Sequence, residues 1–210
     1  MENPVLIFGA GNLGKIALDI FNRNNVVVYG FLDDDKKLHN TEIGDVMVLG
    51  ETDDDGFLKL IGPKTEAFVA LENNKERKKL IEMLNNRRKT MPINAVHNTA
   101  VVSADAFIGH GNLVAARAIV NPYATVGNHC IINASAVVDI NASVGDYVQI
   151  GAGAIINSEA IVEEGAFIGS GAVIISGVTI GKNARVGAGS VVVENVADGT
   201  TVFGNPAKKI

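Results

Sequence analysis

The chain contains one cysteine, Cys130, in 210 residues. A lone cysteine excludes an internal disulfide and any zinc site built on several thiolates, and its place at a small, inward-facing position of a repeat marks a core thiol rather than a reactive one. A run of eighteen apolar residues is also missing. The apolar start Val5-Leu6-Ile7-Phe8 breaks at once into Gly9-Ala10-Gly11, which argues against a spanning helix and against a signal peptide, so a cytoplasmic protein without membrane attachment is expected. Nor is there a basic run. The net charge is −5, and the one cluster of cations, residues 75–89, has acidic residues interleaved. That pattern describes a solvated helix face and excludes nucleic acid as a partner, because phosphate neutralisation needs clustered Lys and Arg.

What the sequence has instead is a strict period. From Val96 to Val192 every sixth residue is Ile or Val, seventeen positions without a miss, and four residues after most of them stands a small side chain such as Ala100, Ala118, Ala136, Ala154 or Ala172. A six-residue period is a solenoid signature. It predicts a parallel β-helix with three short faces per coil, the β-branched residue pointing inward and the small residue at the corner. Eighteen residues then return the chain above its starting point, so Val102, Val120, Val138 and Ile156 should stack. At about 4.8 Å per strand the column is roughly 27 Å tall. The turns Gly127-Asn128, Gly145-Asp146 and Gly181-Lys182-Asn183 suit positive φ. The C-terminal segment, residues 201–210, leaves the repeat and is expected to cover or flank the open last coil.

The first ninety residues follow another pattern. An apolar strand at residues 4–8, the turn Gly9-Ala10-Gly11-Asn12-Leu13-Gly14 and a helical stretch Lys15–Phe21 reproduce the strand, G-x-G-x-x-G, helix arrangement that brings a phosphate to a helix N-terminus. Asp33 lies nineteen residues after Gly14, where a carboxylate is placed to accept from a ribose. Further strands are expected at residues 46–49 and 67–71 and a helix over residues 74–88, with Pro92 at the boundary. These features predict an α/β Rossmann-like domain over residues 1–92 and an all-β helix domain with a tail over residues 93–210. The glycine turn alone leaves open whether the first domain binds NAD, another nucleotide, or nothing at all, with its glycines serving packing only.

Over nearly its full length the sequence resembles the bacterial sugar acyltransferases that join a small Rossmann-like domain to a left-handed β-helix. That group includes the UDP-amino-sugar N-acetyltransferases of bacillosamine and perosamine type (PglD-type) and the NeuD-type sialic acid O-acetyltransferases. The matching residues are Gly9-Ala10-Gly11 with Gly14, Gly30-Phe31-Leu32-Asp33-Asp34, the hexads, Val186-Gly187-Ala188-Gly189-Ser190-Val191-Val192 and Gly204-Asn205-Pro206-Ala207-Lys208. The resemblance implies a left-handed coil and a homotrimer acting in polysaccharide biosynthesis. It also implies acetyl-CoA as co-substrate along the β-helix at subunit interfaces, with no metal, and a nucleotide-linked amino sugar on the first domain. The substrate positions it implies are Gly9, Gly11, Asn12, Leu13, Gly14, Asp33, Asp34 and Glu72. Its cofactor positions are Gln149, Ser170, Ala188 and Lys208.

The same resemblance implies a histidine general base with an acidic partner. Here Ile140 stands at the base position, Asn141 at the partner's and Gln149 where a second histidine meets acetyl-CoA. Leu13 replaces a histidine of the family's glycine turn, and Glu72 replaces a glycine near the nucleotide. Of the chain's four histidines, His39, His97, His110 and His129, none is expected beside Ile140, and His110 and His129 read as solvated turn residues. Asp139 and Asp146 are the nearest carboxylates, and an exposed Asp is a weak base at neutral pH. Two functions follow. One is an acetyl-CoA-dependent acetyltransferase acting on nucleotide-linked amino sugars with an atypical or lost catalytic site. The other is a non-catalytic trimeric binding or assembly protein derived from that family.

Overall fold

The computed structural model describes residues 3–210. It divides into two compact units, the first ending at Ala95 and the second running from Val96 to Ile210. In chain order the first unit contains β1 (Val5–Phe8), α1 (Asn12–Arg23), β2 (Val28–Leu32), β3 (Glu42–Ile43), β4 (Val46–Gly50), α2 (Asp55–Leu58), β5 (Glu66–Val69) and α3 (Asn74–Arg88). The sheet order is β3-β4-β2-β1-β5. β4, β2, β1 and β5 run parallel, and β3 pairs antiparallel with β4.

The sequence forms these elements for identifiable reasons. β1 is buried along its whole length, as a central parallel strand covered on both faces must be. α1 turns Leu13, Ala17, Leu18, Ile20 and Phe21 inward, the stripe expected of a helix lying on a sheet, and Phe21 meets Phe68 edge-to-face at 5.7 Å. α3 begins where the Asn73 side chain accepts from the Lys75 and Glu76 amides, an N-cap that satisfies two donors the helix cannot. Two elements escaped the sequence pattern. β3 is two residues long, too short to show a period, and α2 is a single turn capped by Asp54 through the Gly56 amide.

In the second unit each hexad becomes a two-residue strand. The first face carries Leu113–Val114, Ile131–Ile132, Gln149–Ile150, Phe167–Ile168 and Arg185–Val186; the second carries Val101–Val102, Ile119–Val120, Val137–Val138, Ile155–Ile156, Val173–Ile174 and Val191–Val192; the third carries Phe107–Ile108 through Thr179–Ile180. Val102, Val120, Val138 and Ile156 stand in register, and the column is a left-handed β-helix. Its core is the inward Ile/Val rows with the corner alanines, fully buried from Val114 to Val186. At the base the inward expectation fails: Val102 is 37% exposed, because no coil lies beneath it to complete the layer.

The turns require a second correction. Positive φ falls on Asn183 inside its expected turn, but on His129 and Tyr147 just after the Gly127-Asn128 and Gly145-Asp146 pairs, and the glycines of those pairs serve close stacking. A Cβ on Gly145 would come within 2.8 Å of the Glu164 amide nitrogen on the next coil. The C-terminal residues extend the first face, with Thr201–Gly204 parallel to Arg185–Val186 and Ala207–Lys209 antiparallel to Thr201–Gly204. The new edge carries Lys208 and Lys209, charges of the kind that discourage further strand addition.

Candidate functional site

In the first unit the parallel order reverses at β1, whose neighbours are β2 on one side and β5 on the other. Such a switch point leaves a crevice outside the carboxyl ends of the strands. A cavity of about 650 Å3 occupies it, lined by Gly9 after β1, Asp33 and Asp34 after β2, Glu51, Thr52 and Asp53 after β4, and Leu71 after β5. The far wall is one face of α3: Glu76, Lys79, Leu80, Met83 and Arg87. The residues after β4 and on α3 carry no motif, and only the helical spacing of the last five makes them a set.

The glycine turn is built by close contact. A Cβ on Gly14 would collide with the carbonyl oxygen of Gly9, while one on Gly11 would meet nothing within 4 Å. Gly11 caps α1 without a side-chain hydrogen bond, and the first intrahelical bond runs from the Lys15 amide to the Gly11 carbonyl. The amides of Asn12, Leu13 and Gly14 therefore lie in the turn that a helix leaves unpaired within itself. Asp33 locks this turn: one oxygen accepts from the Ala10 amide at 2.7 Å and the other from the Asp35 amide at 2.9 Å. Asp34 ties β2 to β4 through the Thr52 amide and hydroxyl. Of the eight substrate positions expected, the structure places Gly9, Asp33 and Asp34 on the crevice. Gly11 and Asn12 are exposed at the start of α1, Leu13 and Gly14 are buried beneath it, and Glu72 sits exposed on the loop after β5.

On the column, Ser170 and Ala188 stack at the corner between the first and second faces, and Gln149 lies half-buried on the first face. That corner is a ladder of Gly-x-Gly turns. A Cβ on Gly153, Gly171 or Gly189 would meet nothing within 4 Å, whereas one on Gly151 or Gly169 would strike the backbone of the coil above. The result is a flat strip without projecting side chains over three coils. Lys208 is exposed on the last strand.

Ile140 and Asn141 lie elsewhere, at the corner between the second and third faces, with Ile140 39% exposed and Asn141 in the left-handed region at φ 59°. On a three-sided prism this corner is opposite the first face, so one chain does not bring Ile140 and Gln149 together. Eighteen residues on, Glu159 occupies the coil above Asn141, and its amide donates to the Ile140 carbonyl at 3.2 Å. The sequence reading passed over this carboxylate, although the eighteen-residue return places it.

The histidines stay away from this corner. His129 is only 3% exposed, its ring 5.1 Å from that of Tyr147, so it is a packed turn residue and not the solvated one expected. His110 is exposed, and His97 is buried with Nδ1 accepting from the Thr99 amide. His39 bonds the Asp33 carbonyl through Nε2.

Both units have relatives. Residues 4–84 match the PglD N-terminal domain, and residues 141–175 and 159–194 match the bacterial transferase hexapeptide (six repeats). No curated protein matches the chain. Among solved structures, the perosamine N-acetyltransferase of Caulobacter crescentus, in complex with CoA and GDP-perosamine, is 31% identical over 100% of this chain and 98% of its own, with a TM-score of 0.90. The chain belongs to the left-handed β-helix sugar acyltransferase family. The acetyltransferase domain of PglB from Neisseria gonorrhoeae, in complex with acetyl coenzyme A, is 28% identical over the full length of both chains with a TM-score of 0.89. WeeI from Acinetobacter baumannii is 27% identical over 99% of each, with a TM-score of 0.87. These full-length matches span both units. No helix among the described residues is long and apolar enough to cross a membrane, and no group of three or more His, Cys, Asp or Glu among them is placed to hold a metal ion.

Proposed function

We propose that the protein transfers an acetyl group from acetyl-CoA to the amine of a nucleotide-linked amino sugar. The observation that carries this reading is the full-length likeness to a perosamine N-acetyltransferase that binds CoA and GDP-perosamine. The crevice at the switch point and the projection-free strip at Ser170 and Ala188 support it. The nucleotide occupies the crevice. The pantetheine arm of acetyl-CoA runs along the strip past Gln149, and Lys208 pairs with its phosphates.

The working assembly in this reading is a homotrimer. The outward row of the second face is entirely β-branched and apolar, namely Val101, Ile119, Val137, Ile155, Val173 and Val191. A row of that kind gains from being covered, by about 25 cal/mol per Å2 of apolar surface removed from water. In a closed threefold ring with this face turned to the axis, the Ile140 corner of one copy meets the Ser170 corner of the next. The assembly thus joins acceptor and donor positions that one chain holds apart.

At the reacting centre Ile140 accepts no proton. The unprotonated amine attacks the thioester carbonyl, the coenzyme A thiolate leaves, and the proton on the new amide nitrogen departs to solvent. Positioning then supplies most of the acceleration. Mass spectrometry after incubation with acetyl-CoA and a panel of GDP- and UDP-linked amino sugars tests the reading. An acetylated sugar nucleotide is expected. No product, with coenzyme A release no faster than in buffer, refutes transfer; ligand binding under those conditions would identify the non-catalytic binding protein instead.

A further inference from the structure

The crevice is uneven in charge. Five carboxylates, Asp33, Asp34, Glu51, Asp53 and Glu76, face two cations, Lys79 and Arg87. A diphosphate set in the middle of those acids is repelled at short range. A group rich in hydrogen-bond donors is favoured there instead.

The carboxylates are not equivalent. Asp33 has an oxygen on each of two backbone amides. Asp34 has one oxygen holding both the amide and the hydroxyl of Thr52. Glu51 is ion-paired with Lys36 at 3.0 Å. Asp53 and Glu76 have exposed side chains at the crevice, and the main-chain oxygen of Asp53 also accepts from Arg87 at 3.2 Å, which fixes the backbone of the loop after β4 where a base would enter. Leu71, Leu80 and Met83 give the same cavity an apolar wall against which a planar ring can lie.

A carboxylate presents two acceptor oxygens side by side, and its best partner is a pair of parallel N–H donors. Guanine carries such a pair on one edge, N1–H and the N2 amino group. Uracil offers a single N3–H between two carbonyl oxygens, both of which a carboxylate repels. We propose that the crevice selects a guanosine diphosphate sugar, with Asp53 reading the N1–H and N2 donors of the base. The inference rests on the proposed function in taking the crevice as the nucleotide site, and it goes beyond that reading by naming the base and the residue that reads it.

Calorimetric titration of the full chain with GDP and with UDP, in the absence of acetyl-CoA, tests this. A bidentate base contact discriminates by about 5- to 150-fold, so GDP is expected to bind at least about fivefold tighter than UDP. Asp53→Asn is expected to reduce that ratio to near one. Asp45→Asn, which removes the same charge from the exposed β3–β4 turn of the same unit, is expected to preserve it. UDP binding as tightly as GDP, or a ratio that survives Asp53→Asn, overturns the base assignment and leaves the nucleotide reading standing. Equal loss of the ratio in Asp45→Asn reduces the effect to general electrostatics and overturns the role of Asp53. Binding of neither nucleotide at millimolar concentration overturns the nucleotide reading, and this inference with it.

Discussion

At the scale of single residues, Ile140 is the position at which the proposed transfer has no proton acceptor. A general base contributes about 100- to 10,000-fold, so the double substitution Ile140→His with Asn141→Glu is expected to raise kcat/KM for acetylation within that range. Without a titrating base, the log of kcat/KM should climb steadily with pH toward the acceptor amine's own pKa. The double variant should gain a step near pH 6.5, the ordinary histidine value. An unchanged rate and profile would show that the corner does not host the chemistry. Asn112 tests packing rather than catalysis. It takes a corner position where most hexads place alanine, is fully buried, accepts from the Cys130 amide at 2.6 Å and donates to the Gly127 carbonyl at 2.9 Å. Asn112→Ala strands both backbone groups, each costing about 1–3 kcal/mol, and urea denaturation should show a loss in that range or above. Arg77 has a similar duty in the first unit, where its buried guanidinium bonds the carbonyls of Leu71 and Glu72 and the Asn74 side chain. Those bonds shape the loop that carries Leu71 to the crevice.

At the scale of elements, the repeat was legible in the sequence because one side chain in six decides each strand, and the return every eighteen residues then fixes the register. The same rule failed for backbone conformation. Composition points to Gly127 and Gly145 as the positive-φ residues, but that geometry lies on His129 and Tyr147, since stacking distance and not torsion demands the glycines. A sequence shows which residue is small, and only the packed coils show why. Gly145→Ala is therefore expected to cost about 1–3 kcal/mol through overpacking against Glu163 and Glu164, read by thermal or urea unfolding. A neutral result would mean that the coils separate readily. The crevice was half legible: Gly9 and Asp33 follow from a motif and its spacing and Asp34 from the family resemblance, whereas Asp53 and the α3 face depend on which strand ends the sheet order brings together. The C-terminal hairpin shows the value of an edge. It receives the Arg185 and Gly187 amides at Thr200 and Val202, so a chain ending at Asp198 should expose these donors and aggregate, as light scattering would report.

At the scale of the whole molecule, the separation of the two corners on one column makes assembly a requirement of the proposed transfer. A Ser170→Trp chain carries a bulky ring on the flat strip and leaves the Ile140 corner intact. An Asn141→Arg chain carries a bulky cation at the acceptor corner and leaves the strip intact. Each alone should be inactive. If donor and acceptor positions meet only across a subunit boundary, mixing and reassembling the two in equal amounts regenerates intact sites wherever a Ser170→Trp copy lends its corner to a neighbouring Asn141→Arg strip. Random placement around a threefold ring makes that about one site in four, so close to a quarter of the parent activity should return. A site held within one chain returns none, because every chain in the mixture is then defective. Val137→Asp with Ile155→Asp supplies the complementary case: charges on the outward row of the second face should leave the inward core and the nucleotide crevice intact while giving a monomer in sedimentation. Nucleotide binding would persist and transfer would stop. Loss of both would place the defect in folding, and persistence of both would show that the apolar row does not hold the ring.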